Sequence, residues 1–241
     1  MMNRRQLVAI AMTAALAACG SPLENTSGTF MEQVRLGDPA AQQTYAENRE
    51  LLESAEALPI WLDALANADS PQVKRWAATL LGNIGDASAL PALAAAMSGP
   101  RDVRDAAMDA IGSFDAADAA ATFADVLGSG ERDAQAPALA ALARMGADAG
   151  PAVPAVAAAA ASGENLIAST AVNSLGDIGT DEAAQALAEI AMNTAMEMGR
   201  RRSAIQSLQR IESDAAAAAL ETVAAAVADE DGAEALNEVL S

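Results

Sequence analysis

Between Val73 and Met97 the apolar positions fall at helical spacing. In the first half they are Val73, Trp76, Ala77, Leu80, Leu81 and Ile84, separated alternately by three residues and one. That alternation places all six on one stripe of an α-helix. Ser70 followed by Pro71 supplies an N-cap and a first-turn proline, and Gly85 or Asp86 ends the helix. Leu90, Leu93 and Met97 then mark the buried side of a second helix, with Pro91 in its first turn. The stretch predicts a helical hairpin. Each helix has about a dozen residues, roughly 18 Å, too short to be stable alone.

The pattern recurs. Val103, Ala106, Ala107, Ala110, Ile111 and Phe114 repeat the first stripe 30 residues on. With Leu81 as marker, the equivalents are Ile111, Leu142, Leu175 and Leu208. Three residues beyond each stand Ile84, Phe114, Met145, Ile178 and Ile211. Twelve beyond stand Leu93, Phe123, Leu187 and Leu220, with Pro154 between Val153 and Val156 in the third unit. Periods near 30 residues are the mark of stacked helical hairpins. The third unit departs from the pattern. Pro137 requires either that its first helix begins late, near Ala136, or that the solenoid bends here, and Gly128–Gly130 makes a loose joint before it.

The patterns VKRWAATLLGNIGDASALPALAAAM, VRDAAMDAIGSF and STAVNSLGDIGTDEAAQALAEI resemble HEAT repeats, most closely the short subtype of phycobilisome lyases. The resemblance covers about 69–229 well and 38–68 weakly. It implies an all-α fold: a right-handed α-solenoid of five to six hairpins whose second helices line a concave side. Residues 38–68 are expected as a divergent capping hairpin, with helices at Ala40–Ala55 and Leu58–Leu65. The repeat array is expected over 69–228, and a C-terminal capping helix within 229–241. Composition agrees. The chain of 241 residues is alanine-rich with 2% aromatics, which favours helices over strands.

Net charge is −19, with Lys74 the one lysine. Nucleic acid is disfavoured as a partner, since phosphate binding needs a basic footprint. The chain begins with a positive Asn3-Arg4-Arg5 and an apolar run from Leu7 to Ala18, too short to span a bilayer. Leu16-Ala17-Ala18-Cys19 resembles the lipobox of bacterial lipoproteins. The resemblance implies a signal peptide over 1–18, cleavage before Cys19 and diacylglyceryl attachment to its sulfur. Cys19 is the single cysteine, so no disulfide competes for it. By resemblance to lipoprotein sorting in enteric Gram-negative bacteria, Gly20 rather than Asp after the cysteine points to the outer membrane, facing the periplasm. Residues 19–37, polar and containing Pro22 and Gly28, are expected as the lipidated cysteine and a flexible tether.

The chain has no histidine. That removes an imidazole base, a Ser-His-Asp triad and a histidine metal site. No glycine-rich phosphate loop is present. No catalytic, cofactor-binding or metal-binding residue is therefore assigned, and the chain is expected not to be an enzyme. Arg200-Arg201-Arg202, the one basic cluster, is read as charge compensation on an acidic helix, or as a contact to an anionic group or the lipid surface. Asp229-Glu230-Asp231-Gly232 lacks the spacing of a calcium loop. Trp61 and Trp76 are expected in the core; an exposed Trp61 would be a binding anchor. The leading expectation is a protein-binding scaffold or adaptor of the cell envelope, joined to the membrane by lipid and to a protein partner by an acidic groove. The alternative is a lyase-like enzyme or accessory subunit acting through Asp/Glu of the concave face.

Overall fold

A computed structural model describes residues 20–228 and 234–240. Cys19 and the Asp229–Gly232 run lie outside them. Every regular element among the described residues is helical, in two compact units divided after Ala110.

The N-terminal unit begins with α1 (Pro22–Leu36), α2 (Ala40–Glu47), α3 (Arg49–Leu52) and α4 (Leu58–Asn67). It continues with α5 (Pro71–Ile84), α6 (Leu90–Ala96) and α7 (Arg101–Ile111), whose last residue falls past the division. α5 is the helix its stripe predicts. Ser70 accepts from the Val73 amide, Pro71 sits in the first turn, and Gly85 closes the helix at φ 70°. Only glycine takes that left-handed conformation at no steric cost. α4 packs on both α5 and α6.

α1 corrects the expected tether. Ser21 and Glu24 form a reciprocal capping box, Pro22 occupies the first turn, and Gly37 closes the helix at φ 68°. Ser27, Phe30 and Val34 are its buried face, and it packs on α2, α3 and α5. A second correction concerns Ala40–Ala55, which is not one helix. Asn48 interrupts it at φ −121°, its side chain donating to the Thr44 carbonyl, and Ala55–Ala57 is a 3₁₀ turn.

The C-terminal unit holds α8 (Ala116–Gly128), α9 (Arg132–Met145), α10 (Val153–Ala160), α11 (Asn165–Ile178), α12 (Asp181–Met192), α13 (Met198–Leu208), α14 (Asp214–Val227) and α15 (Glu234–Leu240). First helices pack on first helices (α9 on α11, α11 on α13), and second on second (α8 on α10, α10 on α12, α12 on α14). This two-layer ladder is the stacking of an α-solenoid. α15 closes it against α13 and α14. Pro137 does not delay α9, which starts at Arg132 and continues through it. The proline sits near the start, so its missing amide costs a single bond of the first turns. The marker residues Leu81, Ile111, Leu142, Leu175 and Leu208 are all fully buried. Of the residues twelve further on, Leu93, Phe123 and Leu187 are buried, while Leu220 is half-buried and Pro154 exposed.

Candidate functional site

The second helices of the last two hairpins enclose a groove of about 560 Å³ between α12 and α14. Its floor is built from the smallest side chain available: Ala188, Ala215, Ala218 and Ala219. Asp181, Glu182 and Glu189 stand on the α12 side, exposed to solvent. Thr180 caps α12 through the Ala183 amide and Ser213 caps α14 through the Ala216 amide. The Ser213 hydroxyl also donates to Asp181 at 2.9 Å, tying the two helix starts together. Acidic residues in the first turn of α12 suit the positive end of its dipole. The groove is therefore a shallow apolar trough with a carboxylate rim. Gln185, Met192 and Thr222 complete its lining.

The basic cluster beside it is structural. Arg201 is 2% exposed and donates from Nε to the Ala191 carbonyl at 2.7 Å, in the last turn of α12. A cation there satisfies an orphan carbonyl and the negative end of the helix dipole. Arg200 spans one repeat, donating to the Ser162 carbonyl and to Asn165. Of the three arginines, Arg202 alone faces solvent.

In the N-terminal unit, Phe30, Tyr45, Trp61 and Trp76 meet with ring centroids 5.1–6.1 Å apart. Trp61 is fully buried, and its indole donates to the Leu52 carbonyl at 2.7 Å, so it is core and not an anchor. Trp76 is half-buried, edge-on to Phe30. Beside the rings, Glu53 accepts from the Tyr45 hydroxyl, from Asn83 at 2.6 Å and from Arg49 at 2.8 Å. Burial alone would raise the Glu53 carboxyl, but these three donors outweigh it and hold it below its ordinary value. Burial, then the bond to Glu53, raises the Tyr45 phenol. The sequence carries one signal for this cluster, a lone Tyr45 in a polar helix. The Asn48 break that lets Glu53 reach it leaves no clear mark in the residue pattern.

Among the described residues no group of three or more Asp, Glu, Cys or His is placed to hold a metal, and no helix is long and apolar enough to cross a membrane. Cys19, the lipidation candidate, lies outside the described residues.

A sequence profile described as HEAT repeats matches residues 58–143, from α4 to the end of α9. The chain is a HEAT-like helical-repeat protein. No curated protein matches it. Among solved structures, human deoxyhypusine hydroxylase is similar at 21% identity and a TM-score of 0.42, over 96% of this chain and 86% of that one. An engineered protein is similar at 18% identity and TM-score 0.44, over 76% and 93%. The complex of CpcE and CpcF of phycocyanin lyase from Nostoc is similar at 18% identity and TM-score 0.33, over 86% and 91%. Two of these three are enzymes or enzyme subunits. The expectation that this chain is not an enzyme is accordingly withdrawn.

Proposed function

We propose that this HEAT-like protein is a lipid-anchored binding module of the bacterial cell envelope, held through Cys19 at the outer membrane and facing the periplasm. Its task in this reading is to hold a basic segment of another protein in the groove between α12 and α14. The observation that carries the reading is the groove itself, with an alanine floor, an exposed rim of Asp181, Glu182 and Glu189, and a net charge of −19 behind it. Alanine lets a partner helix approach closely, and the carboxylates select cations on its flanks. The lipobox-like Leu16-Ala17-Ala18-Cys19 supports the anchor: several acyl chains give durable attachment where one does not.

A photo-crosslinking residue at Ala218, expressed in the full chain, tests the groove in intact envelopes. The expected product joins Ala218 to a Lys/Arg-flanked helical segment of one protein, and Glu182→Lys with Glu189→Lys abolishes it. Product unchanged by the double charge reversal, or none at all, overturns the groove. Mass spectrometry of the N-terminal peptide tests the anchor separately: an unmodified thiol at Cys19 overturns it.

A further inference from the structure

The chain is folded up to the residue next to Cys19. The Gly20 carbonyl accepts from the Asn25 side chain at 3.2 Å, Ser21 caps α1, and the Glu24 carboxylate returns to the Ser21 amide at 2.7 Å. One peptide unit, about 3.8 Å, separates this clasp from the Cys19 Cα. Beside the start of α1 lies an open groove of about 630 Å³, where Pro22, Leu23 and Leu51 meet. Glu50 and Glu56, both exposed, stand on its edge.

We infer that this end of the N-terminal unit is a membrane-contact surface. The start of α1 and the groove of Pro22, Leu23 and Leu51 rest on the headgroup layer of a zwitterionic bilayer, with no tether between. The inference rests on lipidation of Cys19, as proposed above. An acyl anchor fixes the cysteine at the membrane surface, and a clasp one residue later leaves the helix start nowhere else to go. The apolar groove is the part of that end which gains by leaving water. Glu50 and Glu56 stand on its edge, so the contact favours neutral headgroups and weakens as anionic lipid is added.

The test uses the full lipidated chain in phosphatidylcholine vesicles carrying a headgroup-level quencher. The Cys19 sulfur is blocked by its lipid, so one added cysteine takes a fluorophore. Glu50→Cys labels the groove. Leu36→Cys labels the far end of α1, about 22 Å along the helix at 1.5 Å per residue. The Glu50→Cys label is expected to be quenched several-fold more than the Leu36→Cys label. Inserting about twenty Gly/Ser residues between Cys19 and Gly20 should bring the two together. Equal quenching at native length, or a difference that survives the insertion, overturns the contact. So does a protein crosslinked at Glu50→Cys in envelopes. Mass spectrometry of the same samples separates these outcomes from loss of the anchor, which shows as an unmodified Cys19.

Discussion

Phe30, Tyr45, Trp61 and Trp76 meet in the N-terminal unit, while the C-terminal unit keeps only Phe114 and Phe123 and packs its layers with Leu, Ile, Val and Ala. The two units therefore hold hairpins together by different means. A large ring buries about 150–250 Å² and fills space between helices that stand apart. Aliphatic side chains and alanine are smaller, so the helices of the C-terminal unit gain by coming close and by bonding across the repeat. α11 and α13 show the limit of approach. A Cβ on Gly176 would lie 2.7 Å from the Arg210 guanidinium and 3.0 Å from the Ser207 Cβ. Ser174 to the Leu139 carbonyl, Arg200 to the Ser162 carbonyl and Ser213 to Asp181 then tie successive hairpins. The first unit should suffer when volume is removed, and the second when volume is added or a tie is cut.

Both tryptophans lie in the N-terminal unit, so their fluorescence follows that unit, while helical circular dichroism follows the whole chain. Trp61→Ala should cost most, about 3–5 kcal/mol, through the emptied cavity and the lost bond to the Leu52 carbonyl. Urea titration followed by the remaining Trp76 measures it, and a loss below about 1 kcal/mol would break the contrast with the C-terminal unit. Arg201→Met keeps the volume and removes the donor to the Ala191 carbonyl. Its expected cost is about 1.5–3 kcal/mol, read by circular dichroism with the fluorescence transition unmoved. Gly176→Ala adds one methyl group to a full interface and should cost about 1–3 kcal/mol by the same measurement.

Glu53 sharpens the comparison by pH. Its folded carboxyl sits below its unfolded value of 4.5. The stabilisation is therefore complete above about pH 4.5 and is lost as pH falls through the folded value. Glu53→Gln should flatten that acid limb of the fluorescence transition and cost about 1 kcal/mol at neutral pH. The smallest effect has the opposite sign. Gly28 lies mid-helix in α1, and a Cβ added there would meet nothing within 4 Å. Gly28→Ala should stabilise the N-terminal unit by about 0.5–1 kcal/mol in urea, where Gly176→Ala destabilises the other.

Much of the ladder is readable from the stripe. Leu81, Ile111, Leu142, Leu175 and Leu208 are buried because a period near 30 residues returns the same face to the core, and Ser70 and Gly85 cap α5 as their chemistry requires. α1 escapes the pattern because its buried face includes Ser27 and sits beside Gly28, which dilutes the apolar period. The capping box of Ser21 and Glu24 is the signal that outweighs them. Asn48 hides the break after α2 because an asparagine is weakly disfavoured in a helix without forbidding it. The groove is readable only in outline. Acidic charge and second helices are sequence facts, but which carboxylates share a rim with Ala215, Ala218 and Ala219 depends on how α12 and α14 lie together.

The ties between hairpins reach about one repeat along the chain: Asn83 to Glu53, Ser213 to Asp181 and Gln209 to the Val239 carbonyl each span 30–32 residues. Ser21, Ser70, Thr180 and Ser213 each start their own helix with a local bond. A polypeptide built this way has little to wait for. Growth can begin at whichever pair of helices collapses first and spread to its neighbours, with short loops to close and low contact order throughout. Refolding should therefore be fast for a chain of this length, and its speed should depend weakly on which hairpin is weakened.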